Sequence, residues 1–326
     1  LLQEQINMFS PRKVVVANKE TALKLNHPDV GYGEEAILDA IESSISDVVV
    51  NALVGFTGLR PTLKAIECNK YVALANKESL VAAGKFVDTR KLVPIDSEHF
   101  ALWYLLNERP INKMTITASG GAFRDTPLEK LKNATVEEVL KHPNWSMGKK
   151  ITCDSATMTN KLFELIEGYW LFKDRFDGEP HFDAIIETKS IIHGLIDFAD
   201  GSSTAHIARA DMKLPIAFAL RGVVEEPILK PVDFSEIGSL EFRKITSDRY
   251  PIWEIKDAIM ASPESGLIIN AANEVAIEAF FKGEGSFLDI SKTMIRCFEK
   301  FQNTPIHSID ELFAFDTEIR AYASSF

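Results

Sequence analysis

Asp96 and Glu98 stand on either side of a single serine in the run Pro94-Ile95-Asp96-Ser97-Glu98-His99. Two carboxylates at the carboxyl end of a predicted strand lie where open α/β sheets place their ligands. Oxygen donors of this kind suit a hard divalent cation such as Mg²⁺ or Mn²⁺. The competing reading is a helix N-terminus, with Asp96 or Ser97 at the cap and acidic residues favoured by the helix dipole. His99 reads as helix packing or capping rather than as a ligand.

A second group lies in Asp154-Ser155-Ala156-Thr157-Met158-Thr159-Asn160-Lys161-Leu162-Phe163-Glu164. The spacing predicts a helix over 155–172, with Ser155 near its first turn. Asn160 and Glu164 then share one face beside Lys161. Hydroxyl, amide and ammonium groups near a helix start suit phosphate oxygens, and Glu164 would complete a three-carboxylate site with Asp96 and Glu98. The same residues also fit a plain amphipathic helix, with Met158, Leu162, Leu165 and Tyr169 as its buried stripe. Two weaker signals flank this helix. Ser119-Gly120-Gly121 ends a predicted strand, where backbone amides can approach an anion. His142-Pro143-Asn144-Trp145-Ser146-Met147-Gly148 places an indole and a thioether in a polar loop, either to cover a ligand or to anchor the loop.

Nucleophilic catalysis finds no support, since there is no Gly-x-Ser-x-Gly elbow. His27, His181, His193, His206 and His307 have no metal-ligand spacing among themselves, and His193 reads as a core histidine on a strand. The three cysteines, Cys68, Cys153 and Cys297, are too dispersed for a disulfide framework and read as reduced cytosolic thiols. A net charge of −11 over 326 residues argues against nucleic acid as a partner. No apolar run reaches the roughly 18–20 residues of a membrane span.

The elements that must position these groups follow from hydrophobic periodicity. Strands are predicted at 13–17, 47–52, 71–75, 91–95 and 114–118, with helices at 34–44, 59–68, 78–87 and 97–108 between them. That alternation implies βαβ units and a mainly parallel sheet. Residues 119–150 break the pattern with Gly120-Gly121, Pro127, Pro143 and a short helix signal at 126–132. Six basic against four acidic residues there make a positive loop in an acidic chain, which favours a binding lid. Strands are expected within 183–198 and at 203–208, then a polar linker, then an acidic helical region over 252–326. The tetrapeptide Ala-Asn-Lys-Glu occurs twice, at 17–20 and 75–78.

Five segments in order carry a family signature: ALANKESLVAAGKFV from Ala73, PIDSEHFALW from Pro94, ASGGAFRDTPL from Ala118, HPNWSMGKKITCDSATMTNKLFE from His142 and NAANEVAIEAF from Asn270. Together they resemble the 1-deoxy-D-xylulose 5-phosphate reductoisomerase family, over nearly the whole chain. The resemblance implies an α/β fold: a Rossmann-like NADPH-binding domain in 1–83, and an α/β catalytic and dimerisation domain in 84–230 with its lid at 119–150. A linker at 231–251 and a C-terminal helical domain at 252–326 complete it. It also places the phosphate-cradling first unit, on the order of 50 residues, ahead of Leu1.

The same resemblance implies conversion of 1-deoxy-D-xylulose 5-phosphate to 2-C-methyl-D-erythritol 4-phosphate, by metal-assisted retro-aldol cleavage and recombination followed by NADPH reduction. It implies NADPH and one Mg²⁺, Mn²⁺ or Co²⁺ as cofactors, a homodimer, and a bacterial cytoplasmic setting. Asp96, Glu98 and Glu164 would hold the cation. Ser119, Ser155, Asn160 and Lys161 would hold the phosphate, with His142 closing over it. Lys77 and Ser97 would meet the sugar backbone, and Trp145 and Met147 would form the flap. Lys77, Glu98 and His142 are the catalytic candidates; Asn76, Glu78 and Gly148 are the cofactor contacts. By this reading 75–78 is the site copy of the repeated tetrapeptide.

Two departures stand out. Leu162 occupies a position where the family has glycine, and Glu187-Thr188-Lys189-Ser190 stands where His-Pro-Gln-Ser is usual, although the family's following histidine is matched by His193. Two other functions remain open: a metal-free NAD(P)-dependent dehydrogenase and a non-catalytic phosphosugar-binding protein.

Overall fold

The computed structural model describes residues 1–326. The strands of the first hundred residues form two parallel sheets rather than one. β1 (Val14–Val16) pairs only with β2 (Val30–Tyr32), a three-residue strand with no distinct sequence signal, over a small core of Ile6, Val14 and Val16. β3 (Val48–Asn51), β4 (Tyr71–Leu74) and β5 (Leu92–Pro94) form a second parallel sheet in that order. Their register aligns Asn51 with Leu74 and Leu74 with Pro94. The turns that follow, 75–78 and 95–98, therefore leave the sheet at one edge.

The strand predicted over 114–118 does not extend this sheet. β6 (Ile111–Ala118) is the centre of a five-stranded sheet ordered β10-β7-β6-β8-β9, from β7 (Phe182–Glu187), β8 (Ile192–Phe198), β9 (Ser203–Ile207) and β10 (Phe242–Arg243). β7 runs parallel to β6 and β8 antiparallel to it. Residues 114–118 of β6 are all buried, and it is β7 and β8 that flank this stretch and satisfy its backbone on both sides. The single run expected over 183–198 is two strands, because Ser190 turns the chain at φ +53°.

The expected helix over 155–172 is also two. One helix spans Lys149–Thr157, and the next, Thr159–Phe172, starts across a single residue, Met158, in the left-handed region at φ +68°. That conformation is uncommon for a residue with a β-carbon. It is held here because Met158 is 1% exposed in the core and the Thr157 and Thr159 hydroxyls hydrogen-bond across it at 2.8 Å. Ser155 thus lies in the last turn of one helix, not the first turn of another. Leu162 is wholly buried in the core, so its bulk points away from the site.

The C-terminal helices Gly266–Lys282, Phe287–Phe301 and Ile309–Ala323 share one continuous apolar core with the earlier elements, from Leu59 and Leu74 through Met114 and Phe163 to Ile269, Phe298 and Ile319. The stretch before them is tied to the loop after β6: the Tyr250 hydroxyl donates to the Gly120 carbonyl at 2.8 Å, and Arg249 donates to the Phe123 and Thr126 carbonyls at 2.7 Å each.

Candidate active site

Three chain segments converge where the two larger sheets meet. The helix Ser97–Leu105 starts at Asp96, whose carboxylate accepts the Glu98 backbone N–H at 3.2 Å. That cap leaves Asp96 Oδ2 and the Glu98 carboxylate facing the helix Thr159–Phe172. Glu164 meets them there, and one oxygen from each of Asp96, Glu98 and Glu164 lies within 4.8 Å of the others. Two ammonium groups thread this cluster. Lys77 Nζ is 2.6 Å from both Asp96 Oδ2 and Glu164 Oε1, and donates to Asn160 Oδ1 at 2.9 Å. Lys161 Nζ lies 2.5 Å from Glu164 Oε2 and 3.2 Å from Glu98 Oε1.

The electrostatics follow from burial and these partners. Burial opposes the charge on Lys77, but Asp96 and Glu164 override it and hold the ammonium well above its ordinary value. Burial likewise opposes ionisation of Asp96, and Lys77 with His99 brings its carboxyl well below the usual range. Glu164 moves the other way, raised by burial and by the neighbouring Asp96. Three oxygen donors at this separation match the ligand chemistry of a hard cation, with Lys77 and Lys161 supplying positive charge in the same space.

The cavity in front of the cluster, about 260 Å³, is lined by Lys77, Asp96, Ser97, Glu98, Ser119, His142, Trp145, Met147, Ser155, Asn160, Lys161 and Glu164. Every residue expected to touch substrate is therefore on one wall or another. Its far end carries polar groups. His142 Nδ1 accepts the Asn144 and Trp145 backbone N–H groups at 3.2 and 2.9 Å, which leaves the proton on Nε2. Nε2 faces the Ser119 hydroxyl at 2.8 Å and the Ser155 hydroxyl at 3.2 Å. Burial, aided by Lys161 and Arg124, pushes His142 down to about 4, so it is a neutral donor. Gly121 (φ +67°) lets the turn close on the helix Lys149–Thr157; a β-carbon there would lie 2.5 Å from the Ser155 carbonyl oxygen. Trp145 and Met147 cover the cavity, with the indole edge-on to His193 at 6.4 Å.

Asn76, Glu78 and Gly148 are not on these walls. The Asn76 amide is buried and donates to the Leu53 and Gly55 carbonyls at 2.8 Å each. Glu78 Oε1 accepts from Lys150 at 2.8 Å, and Lys150 also holds Asp154 at 2.9 Å. Gly148 precedes the helix Lys149–Thr157, and a β-carbon on it would meet no atom within 4 Å. The second tetrapeptide copy borders the cavity through Ala75 and Lys77, whereas Asn18 merely caps a short exposed helix by accepting the Thr21 N–H at 2.9 Å.

Comparison with known proteins decides between the readings. The pattern described as 1-deoxy-D-xylulose 5-phosphate reductoisomerase matches residues 1–84, and the two C-terminal-domain patterns of that enzyme match 92–172 and 207–322. The reductoisomerase of Nautilia profundicola is 56% identical over all of this chain and 90% of its own length; that of Wolinella succinogenes is 48% identical over 99% and 89%. The chain belongs to the 1-deoxy-D-xylulose 5-phosphate reductoisomerase family. A crystal structure of the family's DOX-P reductoisomerase with NADPH, fosmidomycin and magnesium superposes with a TM-score of 0.89 at 30% identity, covering 99% of this chain and 88% of that one. The Zymomonas mobilis reductoisomerase with NADPH gives 0.85 at 31% identity, with the same coverage.

Against that family background, the residues that sequence reasoning did not find are supporting ones. His99 does not cap its helix; it packs against the helix Thr159–Phe172, with polar partners: it is fully buried, its Nε2 is 2.8 Å from the Glu164 carbonyl, and its Nδ1 lies 3.1 Å from Glu167 and 3.4 Å from Asp96. Burial works against its charge, but Glu167 and Asp96 outweigh that and raise it well above the ordinary histidine value. Glu167 is three residues after Glu164, and its spacing gave no sign of this partner. The departure at Glu187 has a structural role. Its carboxylate accepts the Lys189 and Ile191 backbone N–H groups at 2.8 Å each, shaping the turn that brings Ser190 and His193 to the cavity wall.

Proposed function

We infer that this protein converts 1-deoxy-D-xylulose 5-phosphate to 2-C-methyl-D-erythritol 4-phosphate, using NADPH and a divalent cation. The observation that carries the reading is the single cavity that joins the three carboxylates to the cluster of hydroxyl, amide, imidazole and ammonium donors. A metal-free dehydrogenase has no use for three converging carboxylates, and a phosphosugar-binding protein has none for the family's cofactor half.

The donor set fits the cation: Asp96, Glu98 and Glu164 would hold it, and when bound it supplies Lewis acidity at the substrate's carbonyl and neighbouring hydroxyl. NADPH, when bound, supplies the hydride. The rest is the work of the chain. Ser119, Ser155, Asn160 and Lys161 take the phosphate oxygens, and neutral His142 donates from Nε2. This fixes the substrate at a point remote from the reacting carbons, so binding energy is spent on orientation. Lys77 and Ser97 meet the sugar hydroxyls, with Lys77 holding its proton because two carboxylates flank it. Trp145 and Met147 exclude water from the reactive intermediate, as part of a lid over 119–150. Asn76 serves the cofactor by fixing the backbone of the turn after β3, Glu78 by bracing Asn76 and Lys150, and Gly148 by leaving open space around itself.

The same reading includes the domain boundaries implied by the sequence, a homodimer, and the cytoplasm of a bacterium. The relatives named above are bacterial, and no helix is long and apolar enough to cross a membrane. The deciding measurement is NADPH consumption by wild type and Glu164→Gln with saturating Mg²⁺. A fall of about three orders of magnitude is expected, the scale of several kcal/mol of lost charge stabilisation. Turnover unchanged by Glu164→Gln and by EDTA would establish the metal-free dehydrogenase instead.

A further inference from the structure

One loop at the carboxyl edge of the β3–β4–β5 sheet is gripped from two sides. Residues 53–58 follow β3, and the Asn76 amide ties the Leu53 and Gly55 carbonyls to the turn after β4. The opposite grip comes from the C-terminal helices, 218 residues away in sequence. Glu274 Oε1, on the helix Gly266–Lys282, accepts the Phe56 backbone N–H at 2.8 Å. Its Oε2 accepts from Arg320 of the helix Ile309–Ala323 at 2.7 Å, and Arg320 Nε donates to Asp316 at 2.7 Å. Gly55, at φ +73°, has no room for a side chain: a β-carbon would lie 2.5 Å from Glu274 Oε1. The Phe56 and Phe313 rings meet edge-on at 5.4 Å and close the contact. Held this way, the tip presents Leu53 and Val54, 39% and 68% exposed, next to the buried Asn76. Open apolar side chains on a fixed backbone, at the strand ends where such sheets receive dinucleotides, form a platform for a flat ring.

We propose that the Glu274–Arg320 pair is a positioning device for the cofactor: it sets the 53–58 loop so that its apolar tip receives NADPH. This makes cofactor affinity depend on the docking of the C-terminal helices. The proposal rests on the reductase reading above. Neither residue touches a reacting atom, and both act through the Phe56 N–H. Their loss weakens NADPH binding and leaves the chemical step intact once the cofactor is saturating.

The test measures NADPH affinity by fluorescence titration on the full protein, with steady-state KM and kcat and thermal unfolding alongside. Glu274→Ala raises the Kd and KM for NADPH by about 10- to 100-fold, the scale of a charge-assisted hydrogen bond, with kcat within about twofold. Glu274→Gln, which keeps an oxygen towards Phe56, falls between the two. Arg320→Met repeats the loss and Arg320→Lys restores most of it, so the pair remains testable if Glu274→Ala does not fold. An unchanged NADPH Kd in folded Glu274→Ala or Arg320→Met overturns the proposal, as does a fall in kcat at constant KM. Wild type that fails to bind NADPH would instead sink the reductase reading itself.

Discussion

The Lys77 ammonium lies 2.6 Å from Glu164, inside the carboxylate cluster that would hold the cation. With Lys161 on the other Glu164 oxygen, the cluster is largely neutralised by the chain's own charges. Removing the cation therefore costs activity but not the fold. EDTA abolishes NADPH turnover and leaves the thermal unfolding midpoint nearly unchanged; a large drop in that midpoint would show that the carboxylates depend on the metal for their burial.

Lys77→Met exposes the same balance from the other side. Removing one member of a buried ion pair leaves uncompensated charge and costs about 3–5 kcal/mol. Denaturant unfolding should register that loss in EDTA, with part of it recovered in saturating Mg²⁺. Equal stability of the variant with and without Mg²⁺ would mean that the cation does not take over the charge balance.

His99 and Glu167 hold Asp96 and the Glu164 backbone from behind. Partners of metal ligands commonly control affinity by about 10–100-fold. Glu167→Gln is expected to weaken Mn²⁺ binding by that factor in a calorimetric titration, with NADPH affinity unaffected. Unaltered Mn²⁺ affinity would reduce the pair to packing.

His142 is a neutral donor facing Ser119 and Ser155, so on the proposed reading its removal takes away phosphate binding rather than chemistry. His142→Phe raises KM for the phosphosugar by roughly 10- to 100-fold, the value of a hydrogen bond to a charged group, and changes kcat far less. A collapse of kcat at constant KM would move His142 to the reacting carbons.

Acid weakens the fold through two histidines. Burial pushes His142 and His206 from 6.5 to about 4, helped by Lys161 and Arg124 at the first and by His193 at the second. Between those values the unfolded chain takes up protons that the folded chain refuses. The stability contributed by the neutral rings is therefore intact above about 6.5 and is lost as pH falls towards 4. Denaturant titrations across that window should show a shallower pH slope for His206→Gln than for wild type. Identical slopes would remove His206 from the account.

Part of the candidate site was open to reading from spacing because its groups are local in sequence, whereas Lys77, and the choice of Trp145 and Met147 as the flap, came only through the family resemblance. Asp96 and Glu98 flank one serine at a strand end, and Asn160 and Glu164 are one helical turn apart, with the amide donating to the carboxylate at 2.5 Å. What escaped reading depends on contacts that no local pattern records. Glu167 looks like any other helix residue until His99 arrives from a helix some 65 residues earlier. The break at Met158 contradicts an unbroken helical pattern, because the core and two threonine hydroxyls outweigh local propensity. The move of β6 to its own sheet was hidden for a related reason: its partners β7 and β8 lie some 70 to 80 residues further along the chain, beyond any local pattern.

The left-handed residue at Met158 also sets a length. Ser155 lies before that joint and Glu164 after it, so the backbone angle at Met158 helps set how far the hydroxyl stands from the carboxylate. Under the roles proposed above, the joint acts as a ruler for the carbon chain between phosphate and cation. A phosphorylated ketose one carbon longer or shorter would then seat its phosphate and present the wrong atoms to the carboxylates.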